Sequence, residues 1–216
     1  MLDYATATIK DMPLIAILRG ITPTEAGPVS DELVQSGIRL IEVTLNSPDW
    51  SKSLEIINSR HGDDIILGAG TVLSPDDVDR VQALGGQIII SPNMNVEVIK
   101  RTKELGMLSA PGCYTPSECF TALEAGADIL KIFPADTLGP AFIKAIAAVL
   151  PKGTPICPTG GVSVDTMQSF LDAGVYAMGV GSALYKPGKT VAEIAASAAV
   201  FCDKYRTLMS RFNQSA

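Results

Sequence analysis

Eight short apolar runs, each followed by a segment with helical spacing, recur along this chain at a nearly constant interval. They are Leu14–Arg19, Leu40–Leu45, Ile65–Ala69, Gln87–Ser91, Met107–Ala110, Ile129–Phe133, Thr154–Cys157 and Tyr176–Val180, with starts separated by 26, 25, 22, 20, 22, 25 and 22 residues. Such an interval holds one strand, a turn and one helix. The runs are nearly continuous in Ile, Val, Leu and Ala, as strands of a helix-covered parallel sheet must be. Three intervening segments open alike, with Thr22-Pro23-Thr24-Glu25, Ser74-Pro75-Asp76-Asp77 and Thr115-Pro116-Ser117-Glu118. Each offers a capping hydroxyl, a proline at the first helical position and acid in the first turn. Gly37, Gly85, Gly106, Gly126 and Gly174 stand where helices end before the next strand.

Eight βα units in 216 residues predict an α/β protein with a (β/α)8 TIM-barrel fold. A single domain is expected over residues 1–216, with a short N-terminal extension and a C-terminal helix, Thr190–Phe212, packed on the barrel. A doubly wound open sheet is the competing arrangement. Its dinucleotide-binding form needs G-x-G-x-x-G after the first strand, where this chain has Leu18-Arg19-Gly20-Ile21-Thr22-Pro23.

A formal charge of −6 and a pI near 4.8 argue against a nucleic-acid partner. They leave room for a small anion, which backbone N–H groups can hold whatever the net charge. Met1–Asp11 lacks a basic segment followed by an apolar one, and no run of about 18 apolar residues exists, so neither a signal peptide nor a membrane span is expected. Cys113, Cys119, Cys157 and Cys202 match neither a zinc-ligand spacing nor a secreted disulfide framework, which favours a reducing, cytoplasmic setting. His61 is the only histidine, so no protein-built metal site is expected, and none for a Cys–His nucleophile. His61, Lys100, Lys103 and Lys144 read as surface groups, and Trp50 as packing. Asp128 reads as a cap or ion-pair partner opening the sixth strand.

Active sites in such barrels lie at the C-terminal ends of the strands. Here those ends carry Arg19, Glu42 with Thr44, Gly68-Ala69-Gly70-Thr71, Ser91-Pro92-Asn93, Lys131, Thr159-Gly160-Gly161 and Gly181-Ser182. Lys131 interrupts Ile129-Leu130-Lys131-Ile132-Phe133, an otherwise apolar strand, where an unpaired charge is costly. Desolvation favours the neutral amine, the form that attacks carbonyls. Alternation puts Leu40, Glu42 and Thr44 on one strand face. If that face lines the barrel, Glu42 and Lys131 share a cavity as acid/base and nucleophile; a structural ion pair is the alternative. Arg19 suits a carboxylate or phosphate of a ligand, or a partner on the rim. The paired glycine loops at Gly160-Gly161 and Gly181-Ser182, the latter opening a one-turn helix, can form a phosphate nest; taken singly they are also ordinary tight turns.

Ile15-Ala16-Ile17-Leu18-Arg19-Gly20, Ile41-Glu42-Val43-Thr44, Gly68-Ala69-Gly70-Thr71-Val72, Pro111-Gly112, Leu130-Lys131-Ile132-Phe133-Pro134-Ala135 and Pro158-Thr159-Gly160-Gly161 together resemble the class I 2-keto-3-deoxy-6-phosphogluconate / 2-keto-3-deoxy-6-phosphogalactonate aldolase family, in family order from about Pro13 to Ala198. The resemblance implies a carbon–carbon lyase in which Lys131 forms the Schiff base and Glu42 moves protons. It implies that Arg19 binds substrate carboxylate or phosphate, that Thr71 and Pro92 line the carboxylate end, and that Phe133 packs beside the imine. Gly160, Gly161, Gly181 and Ser182 would hold the phosphate. It further implies a cytoplasmic homotrimer with no cofactor, acting on a phosphorylated 2-keto-3-deoxy sugar acid to give pyruvate and glyceraldehyde 3-phosphate.

Leu45-Asn46-Ser47-Pro48, Ser91-Pro92-Asn93, Leu138–Ala145 and Leu184–Gly188 resemble the galactonate branch, whereas Thr159 resembles the gluconate branch, where valine is replaced by threonine. A hydroxyl there can distinguish C4 epimers, so the galactonate substrate is favoured with the gluconate epimer, or both, as the alternative. A phosphosugar isomerase or epimerase would share the glycine loops and use Glu42 as base, but would leave Lys131 unexplained. A non-catalytic phosphate-ligand binder is the remaining class.

Overall fold

A computed structural model describes Ile9 and residues 11–214, without the side chains of 211–214. The expected N-terminal extension lies largely outside the described residues, as does most of the segment read for a leader. The strands are β1 Leu14–Leu18, β2 Leu40–Thr44, β3 Ile66–Gly70, β4 Ile88–Ile90, β5 Leu108–Ala110, β6 Gly112–Cys113, β7 Leu130–Ile132, β8 Ile156–Pro158 and β9 Met178–Val180. The helices are α1 Pro23–Ser36, α2 Trp50–His61, α3 Pro75–Ala83, α4 Val96–Glu104, α5 Pro116–Glu124, α6 Ala135–Ala147, α7 Met167–Leu171 and α8 Val191–Gln214.

All pairings are parallel. One sheet runs β5-β4-β3-β2-β1-β9 and the other β6-β7-β8, and a bridge between Thr159 and Gly179 joins β8 to β9. The (β/α)8 expectation is therefore borne out. The fifth predicted strand, Met107–Ala110, forms as β5, and a separate short strand, β6, follows across Pro111, which has no N–H to continue the ladder.

Two apolar layers follow from the alternation of side chains along each strand. Ile15, Leu40, Ile66, Ile88, Leu108, Ile129, Cys157 and Ala177 fill the barrel interior. Leu14, Ala16, Leu18, Ile41, Val43, Leu67 and Ile89 pack outward against the helices. Each fully buried Leu or Ile contributes roughly 2 kcal/mol of transfer free energy.

The caps form as expected. The Thr115 N–H donates to Glu118 Oε2 at 2.7 Å while the Glu118 N–H donates to Thr115 Oγ1 at 3.3 Å, and Thr22 and Glu25 form the same box on α1. Gly37 closes α1 at φ 107°, a conformation that a Cβ disfavours. The C-terminal helix α8 packs on α1, burying Phe201, Cys202, Tyr205 and Leu208, and Arg206 Nη2 donates to the Ser36 carbonyl at 3.2 Å.

Two residues read as plain surface groups are engaged instead. His61 is largely covered and its Nε2 lies 2.8 Å from Asp31 Oδ1. Lys103 Nζ lies 2.6 Å from Asp128 Oδ2, the oxygen that also accepts from the Ser109 N–H at 2.8 Å. Asp128, just before β7, thus ties α4 to β5. Among the described residues no helix is long and apolar enough to cross a membrane.

Candidate active site

Leu130 and Ile132 point outward into the helix layer, which leaves Lys131 facing the barrel interior. Its register partners are Gly112 on one side and Cys157 on the other. Lys131 is 5% exposed and Glu42, inward-facing on β2, is 2% exposed. Lys131 Nζ stands 5.1 Å from the centroid of the Phe133 ring. Burial pushes the Glu42 carboxyl above its ordinary value, and the charges of Lys131 and then Arg19 pull it back. The two groups sense one another electrostatically, yet no ion pair joins them, and neither has a hydrogen-bond partner among the described residues. The fold does not build the structural Glu–Lys pair that the sequence left open.

The room for Glu42 comes from a glycine. A Cβ at Gly70 would lie 2.3 Å from Glu42 Oε1. Burial pushes the nearby Cys157 thiol up to about 12, so near neutrality it remains protonated and is no rival nucleophile.

Above this layer, where β1, β8 and β9 end, lies a cavity of about 420 Å³. Arg19, Phe133, Thr159, Gly160, Gly161, Gly181 and Ser182 line it, as the strand-end reading expects. Thr159 follows Cys157 by two residues and so stands one inward layer above Lys131. Its hydroxyl occupies the space left by Gly179, where a Cβ would lie 2.4 Å from Oγ1. Gly160 and Gly161 have φ of 99° and 68°, turning their backbone under the cavity. The segment Ser182–Tyr185 makes a single hydrogen-bonded turn, with the N–H groups of Leu184 and Tyr185 both donating to the Gly181 carbonyl at 2.9 and 3.0 Å.

Arg39, Arg60, Arg80, Arg101 and Arg206 each bond a carboxylate or a carbonyl, whereas Arg19 has no such partner among the described residues. No rim carboxylate holds its guanidinium, which borders the cavity.

Lys131 and Glu42 lie next to this cavity rather than in its wall, and Thr71 and Pro92 are outside its wall too. Thr71 follows Gly70 with φ 60°, an uncommon conformation for a β-branched residue. The Pro92 carbonyl packs where a Cβ at Gly112 would be, at 2.3 Å, and so supports the backbone paired with Lys131.

Ile17, Gly179, Tyr185, Lys186 and Pro187 also line the cavity, and the sequence assigns none of them a site role. Ile17 was legible, since it shares a strand face with Arg19. Tyr185, Lys186 and Pro187 sit in an irregular loop, where no periodicity reveals direction. Burial, then the Glu25 carboxylate, push the Tyr185 phenol up to about 12, so it stays protonated.

Residues 5–196 match the sequence profile of the family described as KDPG and KHG aldolase. The chain is 46% identical over 195 residues to the 2-dehydro-3-deoxy-6-phosphogalactonate aldolase of Escherichia coli (strain K12), covering 90% of this chain and 95% of that protein. It is 42% identical over 184 residues to a probable enzyme of the same name from Rhizobium meliloti (strain 1021), covering 85% and 87%. A solved structure described as native KDPGal superposes with a TM-score of 0.91 at 45% identity, covering 92% of this chain and 97% of the other. KDPG aldolase from Legionella pneumophila, solved with pyruvate captured as a covalent carbinolamine, superposes at 0.79 with 28% identity, covering 94% and 97%. A buried amine facing an unpaired carboxyl, under a cavity rimmed by a free guanidinium, is an arrangement suited to carbonyl chemistry on an anionic substrate. By sequence, fold and site, the chain belongs to the KDPG and KHG aldolase family and is a class I aldehyde-lyase.

Proposed function

We propose that this enzyme cleaves 2-dehydro-3-deoxy-6-phosphogalactonate to pyruvate and glyceraldehyde 3-phosphate, with Lys131 as the Schiff-base residue. The observation that carries the reading is Lys131 itself, a buried amine on an inward strand face with no counter-ion bonded to it. Its amine adds to the C2 ketone, and loss of water leaves a protonated imine. Glu42, directly or through a water, takes the proton of the C4 hydroxyl; its raised pKa suits a group that must both accept and return a proton. The C3–C4 bond breaks with its electron pair drawn toward the imine nitrogen, and glyceraldehyde 3-phosphate departs. Protonation of the enamine at C3 and hydrolysis of the imine release pyruvate and the free amine.

In this reading Arg19 binds an anionic end of the substrate, and the backbone of Gly160, Gly161, Gly181 and Ser182 holds the phosphate. Thr71 and Pro92 serve the carboxylate end, and the Phe133 ring shields the imine. The buried Thr159 hydroxyl in the cavity wall favours a second reading, in which the gluconate epimer is also, or preferentially, cleaved.

The chain is proposed to work as a homotrimer in the cytoplasm. Exposed Leu73, Tyr114 and Phe120 are apolar surface that a subunit contact would cover, and four free, buried cysteines suit a reducing compartment. Light scattering of the purified protein reads the subunit number directly.

Borohydride reduction in the presence of pyruvate tests the chemistry. The expected product carries one reduced pyruvate unit on Lys131. An unmodified mass, or an adduct mapped to another lysine, overturns the mechanism and would leave a same-barrel isomerase using Glu42 as base.

A further inference from the structure

We infer that Lys186 is a second charge-recognition residue of the cavity, acting with Arg19 on the substrate phosphate. The inference rests on the aldolase reading above and gives a role to a residue that the sequence places in a family-like segment, Leu184–Gly188, without a function.

Arg19 and Lys186 both line the cavity, and among the described residues no aspartate or glutamate does. In a chain of net charge −6, two cations therefore border one cavity without a carboxylate in its wall. Neither has an ion-pair or hydrogen-bond partner among the described residues. Lys189, on the same loop, behaves differently: its ammonium donates to the carbonyls of Ala183 and Leu184 at 3.3 and 3.1 Å and to Ser197 Oγ at 3.3 Å. One lysine thus ties the loop down while the other is left unbonded at the cavity.

The position of Lys186 follows from the packing of its neighbour. Pro187 sits against Gly20, where a Cβ would lie 2.7 Å from Pro187 Cγ, and Gly20 has φ +84°. The Gly20 N–H is itself held by Ser47 Oγ at 2.8 Å. This contact holds the loop that carries Lys186 against the end of β1, which carries Arg19. Both cations border the one cavity, so an entering dianion gains from each. The glycine amides can fit the shape of a phosphate, but full positive charge is what makes its capture depend on ionic strength.

The test compares wild type with Lys186→Ala, Lys186→Glu and Lys186→Arg. For the 6-phosphorylated substrate, Lys186→Ala is expected to raise KM roughly fivefold, as loss of one exposed charge-assisted contact would, with kcat nearly unchanged. Lys186→Glu should raise KM further and Lys186→Arg should stay near wild type. The ionic-strength dependence of kcat/KM should flatten in Lys186→Ala, and its competitive inhibition by inorganic phosphate should weaken in proportion. Cleavage of the same sugar acid without its phosphate should be affected little. An unchanged KM, or an equal loss on both substrates, overturns the role of Lys186. Trapping with pyruvate and borohydride separates the two failures. If Lys131 is labelled and Lys186→Ala keeps its affinity, only this inference falls; if Lys131 is not labelled in wild type, the aldolase mechanism falls first.

Discussion

The Glu42 carboxyl sits in the space that any side chain at Gly70 would need. An added Cβ there would lie 2.3 Å from Glu42 Oε1 and 2.9 Å from its Cδ. β2 and β3 pair in register at Thr44 and Gly70, so the strands themselves cannot shift to relieve the clash without breaking the ladder. Gly70→Ala should therefore move the carboxyl while leaving Lys131 in place. Displacement of about 1 Å in a reacting group costs on the order of 100-fold in rate. Cleavage assays should show that loss, while borohydride trapping of pyruvate on Lys131 persists. Full activity would mean that Glu42 is not the proton carrier.

Glu42 also gives the protein a pH signature. Its folded-state pKa is raised, chiefly by burial, above the ordinary 4.5. The folded protein therefore holds this proton over a range where the unfolded chain has lost it. The associated stability is present below 4.5 and is lost as pH rises through the folded-state value. Glu42→Gln removes that dependence, so its stability advantage over wild type should grow as pH rises, as read by urea denaturation at several pH values. The same change should lower kcat by roughly 100-fold or more.

Lys131→Met removes a buried amine that has no hydrogen-bond or ion-pair partner among the described residues. Turnover should be abolished and the pyruvate adduct should disappear. Stability should rise by about 1 kcal/mol, because a buried polar group without a hydrogen-bond partner is replaced by an apolar chain of similar volume. Thermal or urea unfolding checks the sign, and a destabilised variant would show that the lysine contributes to packing or pairing more than it costs.

Thr159→Val tests the epimer. The hydroxyl is buried in the cavity wall beside Gly179, so valine replaces it with little change of shape. The ratio of kcat/KM for the galactonate over the gluconate epimer is expected to rise by roughly tenfold, the order of effect of one hydrogen bond left unmade. An unchanged ratio removes Thr159 from the discrimination.

Asp128→Ala should be destabilising without touching the chemistry. The carboxylate accepts from Lys103 and from the Ser109 N–H, and its loss leaves a part-buried donor unmet. A loss of about 2 kcal/mol follows, measurable as a lower urea midpoint with the slope unchanged.

Much of this is legible in the sequence. The parity of residues along β2 and β7 puts Glu42 and Lys131 on the barrel face, and the Thr-Pro-x-Glu signals mark where α1 and α5 begin. What failed to show was anything decided by contact between distant segments. His61 gains Asp31 and Lys103 gains Asp128 only because separate helices and strands pack together. Nothing in the periodicity marks the short strand β6 that follows Pro111.

The sequence by itself determined the repeating βα unit, the eight-fold barrel and the direction in which each strand residue points. Those are consequences of local periodicity, capping and glycine placement. Only the tertiary structure decided that Arg19, Thr159 and Lys186, drawn from opposite ends of the chain, border one cavity. It also decided that Glu42 and Lys131 share the barrel interior without forming an ion pair. The reason is geometric: closure of β8 on β9 and β9 on β1 sets the distances across the barrel, and no local pattern encodes a distance between strands that never follow one another.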